Sequence, residues 1–302
     1  MLSAARARKT SRSPQSDFGR IPVSPSLTSS VCSVIINQIK RTERKNLKNL
    51  LFIGDVVGRT GTDFLTSKLS LVKRQFAVDI TIVNGENSAA GDGITHESAD
   101  MLIRAGADVI TTGNHAFKRR EASDLFDADY ILRPANYPEG GASGKGVCVL
   151  DMGAYSIAVI NLMGTVYMDP LDNPFTKIDE LLTEIDTPNI FVDFHAEATS
   201  EKKAMGHYLT GKVSGVFGTH THVQTADEMI LGGHTAYITD AGMTGVEVSS
   251  LGAAIEPVLE RFRFRTPVRF KEAEGDCFMC AVCVEFDEKC GKSHKIERLI
   301  IR

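Results

Sequence analysis

Short apolar segments alternate with amphipathic ones from residue 47 onwards, and this alternation is the feature that most constrains the fold. It is typical of α/β proteins, in which helices pack against a largely parallel sheet. The predicted strands are residues 50–56, 80–83, 109–112, 157–162, 190–194, 213–217 and 236–239. The predicted helices are residues 67–76, 96–106, 177–185 and 199–209, and a closing β-hairpin is predicted from residues 277–286 and 295–301.

Charge is distributed unevenly along the chain. Residues 1–48 contain ten Lys or Arg and only two acids, Asp17 and Glu43. The rest of the chain contains 24 basic and 36 acidic residues, a net charge of −12. Because an acidic surface repels phosphate backbones, we expect no broad nucleic-acid surface on this body, which is better suited to collecting cations.

Residues 1–46 are rich in Ser and Arg and nearly free of acids, which predicts a disordered basic extension. The same composition is compatible with an organellar transit peptide or a nucleic-acid-binding arm. We favour a third interpretation, an over-extended start, because the globular pattern begins abruptly at Leu47 and no Met lies between Met1 and Met101. The predicted domain therefore comprises residues 47–302.

No segment approaches the roughly 18 uninterrupted apolar residues of a membrane helix, and the N-terminus lacks the apolar core of a secretory signal. The sequence therefore predicts a cytoplasmic protein with reduced cysteines and no membrane partner. The three-residue spacing of Cys277, Cys280 and Cys283 is also that of some metal or cluster sites. In a strand, however, Cys280 would face away from the other two, so buried thiols are the favoured interpretation.

Five predicted strands end in polar residues, most of them preceded by glycine. These residues are Asp55, Glu86 with Asn87, Asn114 with His115, His195, and His220 with His222. Because the carboxyl ends of strands meet at one edge of an open α/β sheet, we expect these side chains to converge in a crevice. The preceding glycines predict positive φ angles and close approach of the backbone.

Apart from His115, the converging side chains offer oxygen and imidazole donors without any thiolate, which suits Fe, Mn or Zn in a reactive site. Seven donors exceed the need of one ion. With Glu86 as a bridge they fit two ions about 3.5–4 Å apart, which would activate a hydroxide for attack on a phosphate ester. Taken singly, Asp55 could be a helix N-cap and His195 a structural residue, but five strand ends together favour a metal site.

Seven motifs carry a family resemblance. They are GDVVGR, NGEN, GNHAF, RPANYP, DFHAEATSEK, GTHTHVQTAD and TDAGMTG, in order from about residue 49 to the end. They resemble the YmdB-like branch of the calcineurin-like metallophosphoesterases, whose described activity is 2′,3′-cyclic nucleotide 2′-phosphodiesterase. The resemblance implies a sandwich of two mixed sheets flanked by helices, with a di-iron or similar centre.

The resemblance also implies a role for each donor. One metal would be held by Asp55, Asn87 and His222, the other by Asn114, His195 and His220, with Glu86 bridging them. His115 would give a proton to the leaving oxygen.

The chain departs from the wider superfamily at three positions. Val57 stands where a histidine is usual, Glu86 where the bridging residue is usually Asp, and Thr219 where a second histidine is common. These departures remove one imidazole from the first metal and weaken any transfer of substrate from protein phosphatases.

Three further residues receive weaker predictions. Asn136 and Tyr137 lie in a proline-bounded segment that forms either a simple turn or the rim of the substrate site. Asp240 ends another predicted strand and could orient a ligand histidine.

The sequence alone is compatible with three functions. The favoured one is a phosphodiesterase acting on 2′,3′-cyclic nucleotides or related small or RNA-end diesters. A phosphomonoesterase or 5′-nucleotidase would use the same centre, and a regulatory protein would keep the metals for structure. The sequence is compatible with a homo-oligomer and leaves the native metal and the physiological substrate open.

Overall fold

The computed structural model describes residues 46–302, and the elements are numbered within that part of the chain. The strands are β1 Leu47–Ile53, β2 Asp55–Val56, β3 Ile80–Asn84, β4 Val109–Thr111, β5 Ile131–Leu132, β6 Val147–Asp151, β7 Ser156–Met163, β8 Ile190–His195, β9 Gly215–Thr219, β10 Met229–Leu231, β11 Thr235–Ile238, β12 Met243–Val246, β13 Cys277–Asp287 and β14 Ser293–Ile301. The α-helices are α1 Gly58–Gln75, α2 His96–Ala105, α3 Pro174–Glu184, α4 Thr199–Tyr208 and α5 Ile255–Phe264, and Arg120–Asp127 forms a 3-10 helix.

The strands form two mixed sheets. The first has the order β2-β12-β13-β1-β3-β4-β5, with β14 also paired to β13, and the second has the order β10-β11-β9-β8-β7-β6. In the first sheet β1, β3, β4 and β5 run parallel while β13 is antiparallel to β1. In the second, β7, β8, β9 and β11 are parallel and the two edge strands are antiparallel.

The two sheets pack face to face, and helices cover their outer faces. Alternation along β1 places Leu50 and Phe52 in the core between the sheets, while Leu51 and Ile53 face the outer core that includes residues of α1 and α2. The ring of Phe52 lies 4.7 Å from that of Phe217 on the opposite sheet. The outer face of the second sheet packs against α3 and α4. The predicted sandwich of two mixed sheets flanked by helices is confirmed.

The predicted strands and helices are present with boundaries shifted by a few residues, except that the predicted strand 50–56 is divided at Gly54 into β1 and β2. Helix α1 extends nine residues further towards its N-terminus than predicted. The short strands β5, β6, β10 and β12, the 3-10 helix and α5 were not predicted. Most of these strands are too short to show a period. Helix α5 buries only Val258, so it lacks the apolar stripe by which a packed helix is recognised. The predictions for residues 1–45 lie outside the described residues.

The cysteines of the closing hairpin are free thiols. Burial raises the pKa of Cys280 and of Cys283 to about 11, so these sulfurs stay protonated. Within residues 46–302, no helix is long and apolar enough to cross a membrane.

Candidate metal centre

The seven predicted ligands lie at one edge of the sandwich, at or just beyond the carboxyl ends of strands. The first sheet contributes only oxygen donors: Asp55 in β2, Glu86 and Asn87 after β3, and Asn114 after β4. The second sheet contributes only imidazoles: His195 at the end of β8, and His220 and His222 after β9. The candidate site is therefore assembled across the two sheets.

His195 lies at the middle of the cluster and is fully buried. Its Nε2 atom is 2.9 Å from Oδ1 of Asn114, 3.0 Å from Nδ1 of His220 and 3.3 Å from Oε1 of Glu86. The ligand atoms of Glu86, His195 and His220 all lie within 4.8 Å of one another. A carboxylate and two imidazoles at this spacing can surround one cation.

Asp55 provides the clearest sign that a cation belongs in the site. Its Oδ2 atom accepts a hydrogen bond from the backbone N–H of His220 at 3.1 Å. Its Oδ1 atom is buried without a hydrogen-bond partner among the described residues, 3.8 Å from His195 Nδ1 and 3.9 Å from His222 Nε2. Because an unpartnered buried carboxylate oxygen is costly, the donor set fits a bound cation that this atom would coordinate.

The charges of the site support the same conclusion. Burial opposes a charge on His195, but the carboxylates of Glu86 and Asp55 outweigh it and raise the pKa of His195. Burial likewise opposes a charge on Glu86, and nearby His195 outweighs it and lowers the pKa of Glu86. The pKa of His220 falls to about 4 because of burial and the adjacent His195. The carboxylates of the cluster therefore favour positive charge at its centre, which a bound cation would supply.

A buried polar layer between the sheets fixes the orientation of His195. Its Nδ1 atom lies 2.9 Å from the hydroxyl of Thr219, and that hydroxyl donates to Asp193 at 2.7 Å. Asp193 also accepts from Thr111 at 2.5 Å and from Asn84 at 2.9 Å. Asp193 was not predicted, although the alternation of β8 places it on the same face as His195 and could have revealed it.

The loop that carries His220 and His222 is fixed by a buried ion pair. Asp240 accepts hydrogen bonds from the backbone N–H and hydroxyl of Thr221, at 3.0 and 2.7 Å, and from Lys202 Nζ at 2.7 Å. Asp240 therefore fixes the residue between the two histidines, whereas the sequence predicted a contact with an imidazole. Lys202 is only 1% exposed, and its role was not predicted because it lies in a polar helix.

The prediction of positive φ at the strand-end glycines is wrong. Gly54, Gly85, Gly113 and Gly218 lie outside the positive-φ region, whereas His220 and His222 themselves have φ of 102° and 64°. Left-handed backbone at non-glycine residues costs about 1–3 kcal/mol each and is concentrated at functional sites. The glycines serve close approach instead: a Cβ on Gly113 would lie 2.2 Å from the His195 ring and 2.4 Å from Glu86 Oε2.

His115 lies beside the ligands in a cleft of about 350 Å³ that Glu86, Asn87, His220 and His222 also line. Its backbone N–H donates to Glu86 Oε2 at 3.2 Å, and its Nδ1 lies 2.7 Å from Asn87 Oδ1. Within residues 46–302 its Nε2 makes no hydrogen bond, so this nitrogen is the one left for a substrate.

Two further contacts of the ligand histidines were not predicted. His220 Nε2 lies 3.0 Å from a carboxylate oxygen of Glu197, and His222 Nδ1 lies 3.1 Å from the backbone carbonyl of Leu251. Leu251 comes from a loop that the sequence pattern does not place near the histidines, whereas Glu197 follows the proposed ligand His195 by two residues and could have been found from that spacing.

The two predicted rim residues behave differently. Asn136 is fully buried, and its amide bonds the backbone of Met163 and Asp172, so it does not reach a rim. Tyr137 is partly exposed and lines a separate cavity of about 550 Å³ together with Phe117 and Arg120. Burial and the carboxylates of Asp169 and Glu86 raise the pKa of Tyr137.

A four-layer sandwich with histidine, amide and carboxylate donors at the strand ends is the arrangement of a metallophosphoesterase. The model of the YmdB-like protein family matches residues 51–299. The chain therefore belongs to the YmdB-like family, and the resemblance seen in the motifs is confirmed.

Similar proteins cover nearly all of the described residues. The 2′,3′-cyclic-nucleotide 2′-phosphodiesterase of Bacillus subtilis (strain 168) is 48% identical over 255 residues, which are 83% of this chain and 96% of that protein. A solved hypothetical protein from Thermus thermophilus is 40% identical with a TM-score of 0.79, over 83% of this chain and 98% of that one. A solved novel phosphatase from Mycoplasma pneumoniae is 33% identical with a TM-score of 0.81, over 85% and 94% respectively.

Proposed function

We propose that the protein is a metal-dependent phosphodiesterase that hydrolyses 2′,3′-cyclic nucleotides. The observation that carries the proposal is the buried Asp55 Oδ1 without a partner among residues 46–302, within 4 Å of two imidazoles and close to the cleft that His115 lines. The activity named for the Bacillus subtilis relative supports this choice of substrate.

The chain's own residues divide into two ligand groups. Asp55, Asn87 and His222 would hold one metal, Asn114, His195 and His220 the other, and Glu86 would bridge them. Iron is the proposed metal, and manganese or zinc would suit the same donors. When bound, the ions would activate water and neutralise charge on the phosphoryl group.

His115 would act as the general acid. Donation of its Nδ1–H to Asn87 Oδ1 holds the ring in place and leaves Nε2 to carry a second proton towards the cleft. In a 2′,3′-cyclic phosphate the bond between phosphorus and the ribose 2′ oxygen breaks. That alkoxide is a poor leaving group, so a proton from His115 Nε2 would stabilise it.

One preparation can test the proposal. The protein is purified anaerobically, its metals are quantified, and 2′,3′-cyclic AMP is compared with AMP and 3′-AMP, with Glu86→Gln as the inactive control. We expect turnover of the cyclic nucleotide that chelation abolishes. A preference for the monoesters would indicate a phosphomonoesterase. If none of the three esters is hydrolysed, with or without added metal, the protein is better explained as a regulatory one.

A further inference from the structure

Residues 261–271 differ in character from the rest of the described chain. Their sequence, RFRFRTPVRFK, contains four Arg, one Lys and three Phe but no acid, on a body whose net charge is −12. Phe262, Phe264 and Phe270 are 62%, 60% and 50% exposed. We call residues 261–271, the end of α5 and the irregular stretch after it, the basic aromatic segment.

Most arginines of this segment have no acidic partner within residues 46–302, whereas Arg261 donates to the backbone carbonyls of Arg265 and Thr266. Within residues 46–302, Arg263, Arg265 and Arg269 take part in no salt bridge, whereas Arg59, Arg104, Arg298 and Arg302 each pair with a carboxylate. The Arg263 guanidinium lies 5.1 Å from the centre of the Phe264 ring. Arginine and aromatic rings thus alternate on an open surface.

The segment is joined to the rim of the candidate metal centre. Ala254 lies three residues after Leu251, and its backbone N–H donates to the carbonyl of Lys271 at 2.9 Å. Leu251 lines the cleft, and its carbonyl is the one near His222 Nδ1. Three residues span at most about 10 Å, so one end of the segment lies close to the cleft.

A second contact joins the segment to another part of the cleft. Glu272, the next residue along the chain, accepts a hydrogen bond from the backbone N–H of Gly91 at 2.6 Å. Gly91 also lines the cleft. A polymer that leaves the cleft on this side would pass the Lys271 end of the basic aromatic segment.

We propose that the basic aromatic segment binds single-stranded RNA whose 3′ end carries the 2′,3′-cyclic phosphate hydrolysed in the cleft; this inference rests on the proposed function. Alternating cations and exposed rings are the means by which proteins hold single strands, since arginines neutralise phosphates and rings stack on bases. The absence of a broad nucleic-acid surface on the rest of the acidic body stays a prediction, since the surface proposed here is limited to residues 261–271.

A second copy of this chain is the competing occupant. A two-fold interface at this segment would bring the same patch of each copy together, so the five positive charges of one copy would face the five of the other. That repulsion favours a polyanion over self-association, and the following experiment distinguishes the two.

The experiment compares kcat/KM on 2′,3′-cyclic AMP with that on hexaadenylate ending in a 2′,3′-cyclic phosphate. The variants are Arg263→Ala/Arg269→Ala and Phe264→Ala, with exposed Arg104→Ala on α2 as the control. We expect the wild type to favour the hexamer at low salt, and both segment variants to lose roughly tenfold on the hexamer alone. When the logarithm of kcat/KM on the hexamer is plotted against the logarithm of the salt concentration, the double variant should reduce the steepness of the slope by about 1.4. This is the value for the loss of contacts to two phosphates of a single strand.

Equal wild-type kcat/KM on the two substrates would overturn the inference, as would an equal loss on both in the variants. A change from dimer to monomer in light scattering of the variants would identify an interface between copies instead. If cyclic AMP is not hydrolysed at all, the proposed function fails. Fluorescence anisotropy of the labelled hexamer still tests whether the basic aromatic segment binds RNA. Binding that the segment variants weaken supports it, and absence of binding excludes it.

Discussion

The Nδ1 atom of His115 lies 2.7 Å from Oδ1 of Asn87, so one side of the imidazole is held by a residue that is itself a proposed ligand. The backbone of His115 is held in turn by Glu86. A general acid in this position would be oriented by the proposed metal ligands without being one of them. This separation of roles can be tested by choice of leaving group.

His115→Ala should keep its metals and lose about 10²–10⁴ in kcat on 2′,3′-cyclic AMP, the usual contribution of a general acid. It should lose much less on bis-p-nitrophenyl phosphate at the same pH, because p-nitrophenolate leaves without a proton. His96→Ala, an exposed histidine paired with Asp124, is the matched control. Loss of a metal would make His115 a ligand, and equal losses would make it an electrostatic contact to the phosphoryl group.

Wild-type protein should contain about two metal equivalents per chain, and Glu86→Ala should lower this content most, because Glu86 is the proposed bridge between the ions. Asp55→Asn should also lower the metal content, because a neutral amide replaces the carboxylate whose buried Oδ1 atom lacks a partner within residues 46–302. Elemental analysis of the purified variants measures both effects, with Glu297→Gln, a partly exposed carboxylate paired with Lys295, as the control. Undiminished metal in Glu86→Ala would refute the assignment.

Gly113→Ala should abolish metal binding and reduce activity by about 10² or more, because displacement of a catalytic group by about 1 Å already has that effect. The added Cβ would lie 2.2 Å from the buried His195 ring, which has no room to move. Gly141→Ala is the control, since a methyl group added there would meet no described atom within 4 Å. Normal metal content and activity in Gly113→Ala would show that His195 and Glu86 can move to accommodate the added methyl group.

Lys202→Met should lower the free energy of unfolding by about 3–5 kcal/mol, because it leaves Asp240 buried without its counter-charge. The neighbouring pair of Lys203 and Asp227 is partly exposed, so Lys203→Met should cost under about 1 kcal/mol. Urea unfolding at pH 7 measures both. Similar costs for the two variants would mean that the buried pair contributes no more than a surface one.

The strand ends could be predicted from the sequence because each ligand lies at the end of a short apolar run or within a few residues after it. His195, for example, ends such a run, and parallel topology then brings it to the common edge. The residues that position the ligands are harder to predict. Asp193 meets Asn84 only because two sheets pack face to face, and no local pattern encodes that meeting.

The loop contacts show the same limit. Lys202 appears in the sequence as one of several polar residues of α4, and only the fold shows that it is buried against Asp240. The left-handed backbone of His220 and His222 likewise has no local signal, because positive φ is uncommon at non-glycine residues and no neighbouring residue marks it. Such strain is maintained by tertiary contacts, which single-sequence patterns do not contain.

The separation of oxygen donors and imidazoles onto different sheets makes metal loading a measure of tertiary assembly. A chain whose sheets have come apart holds only amide and carboxylate oxygens on one side and only imidazoles on the other. Neither half reproduces the mixed ligand set of the packed sandwich. An ion bound by both halves therefore stabilises the packed state selectively, so chelation should loosen the contact between the sheets as well as stop the chemistry.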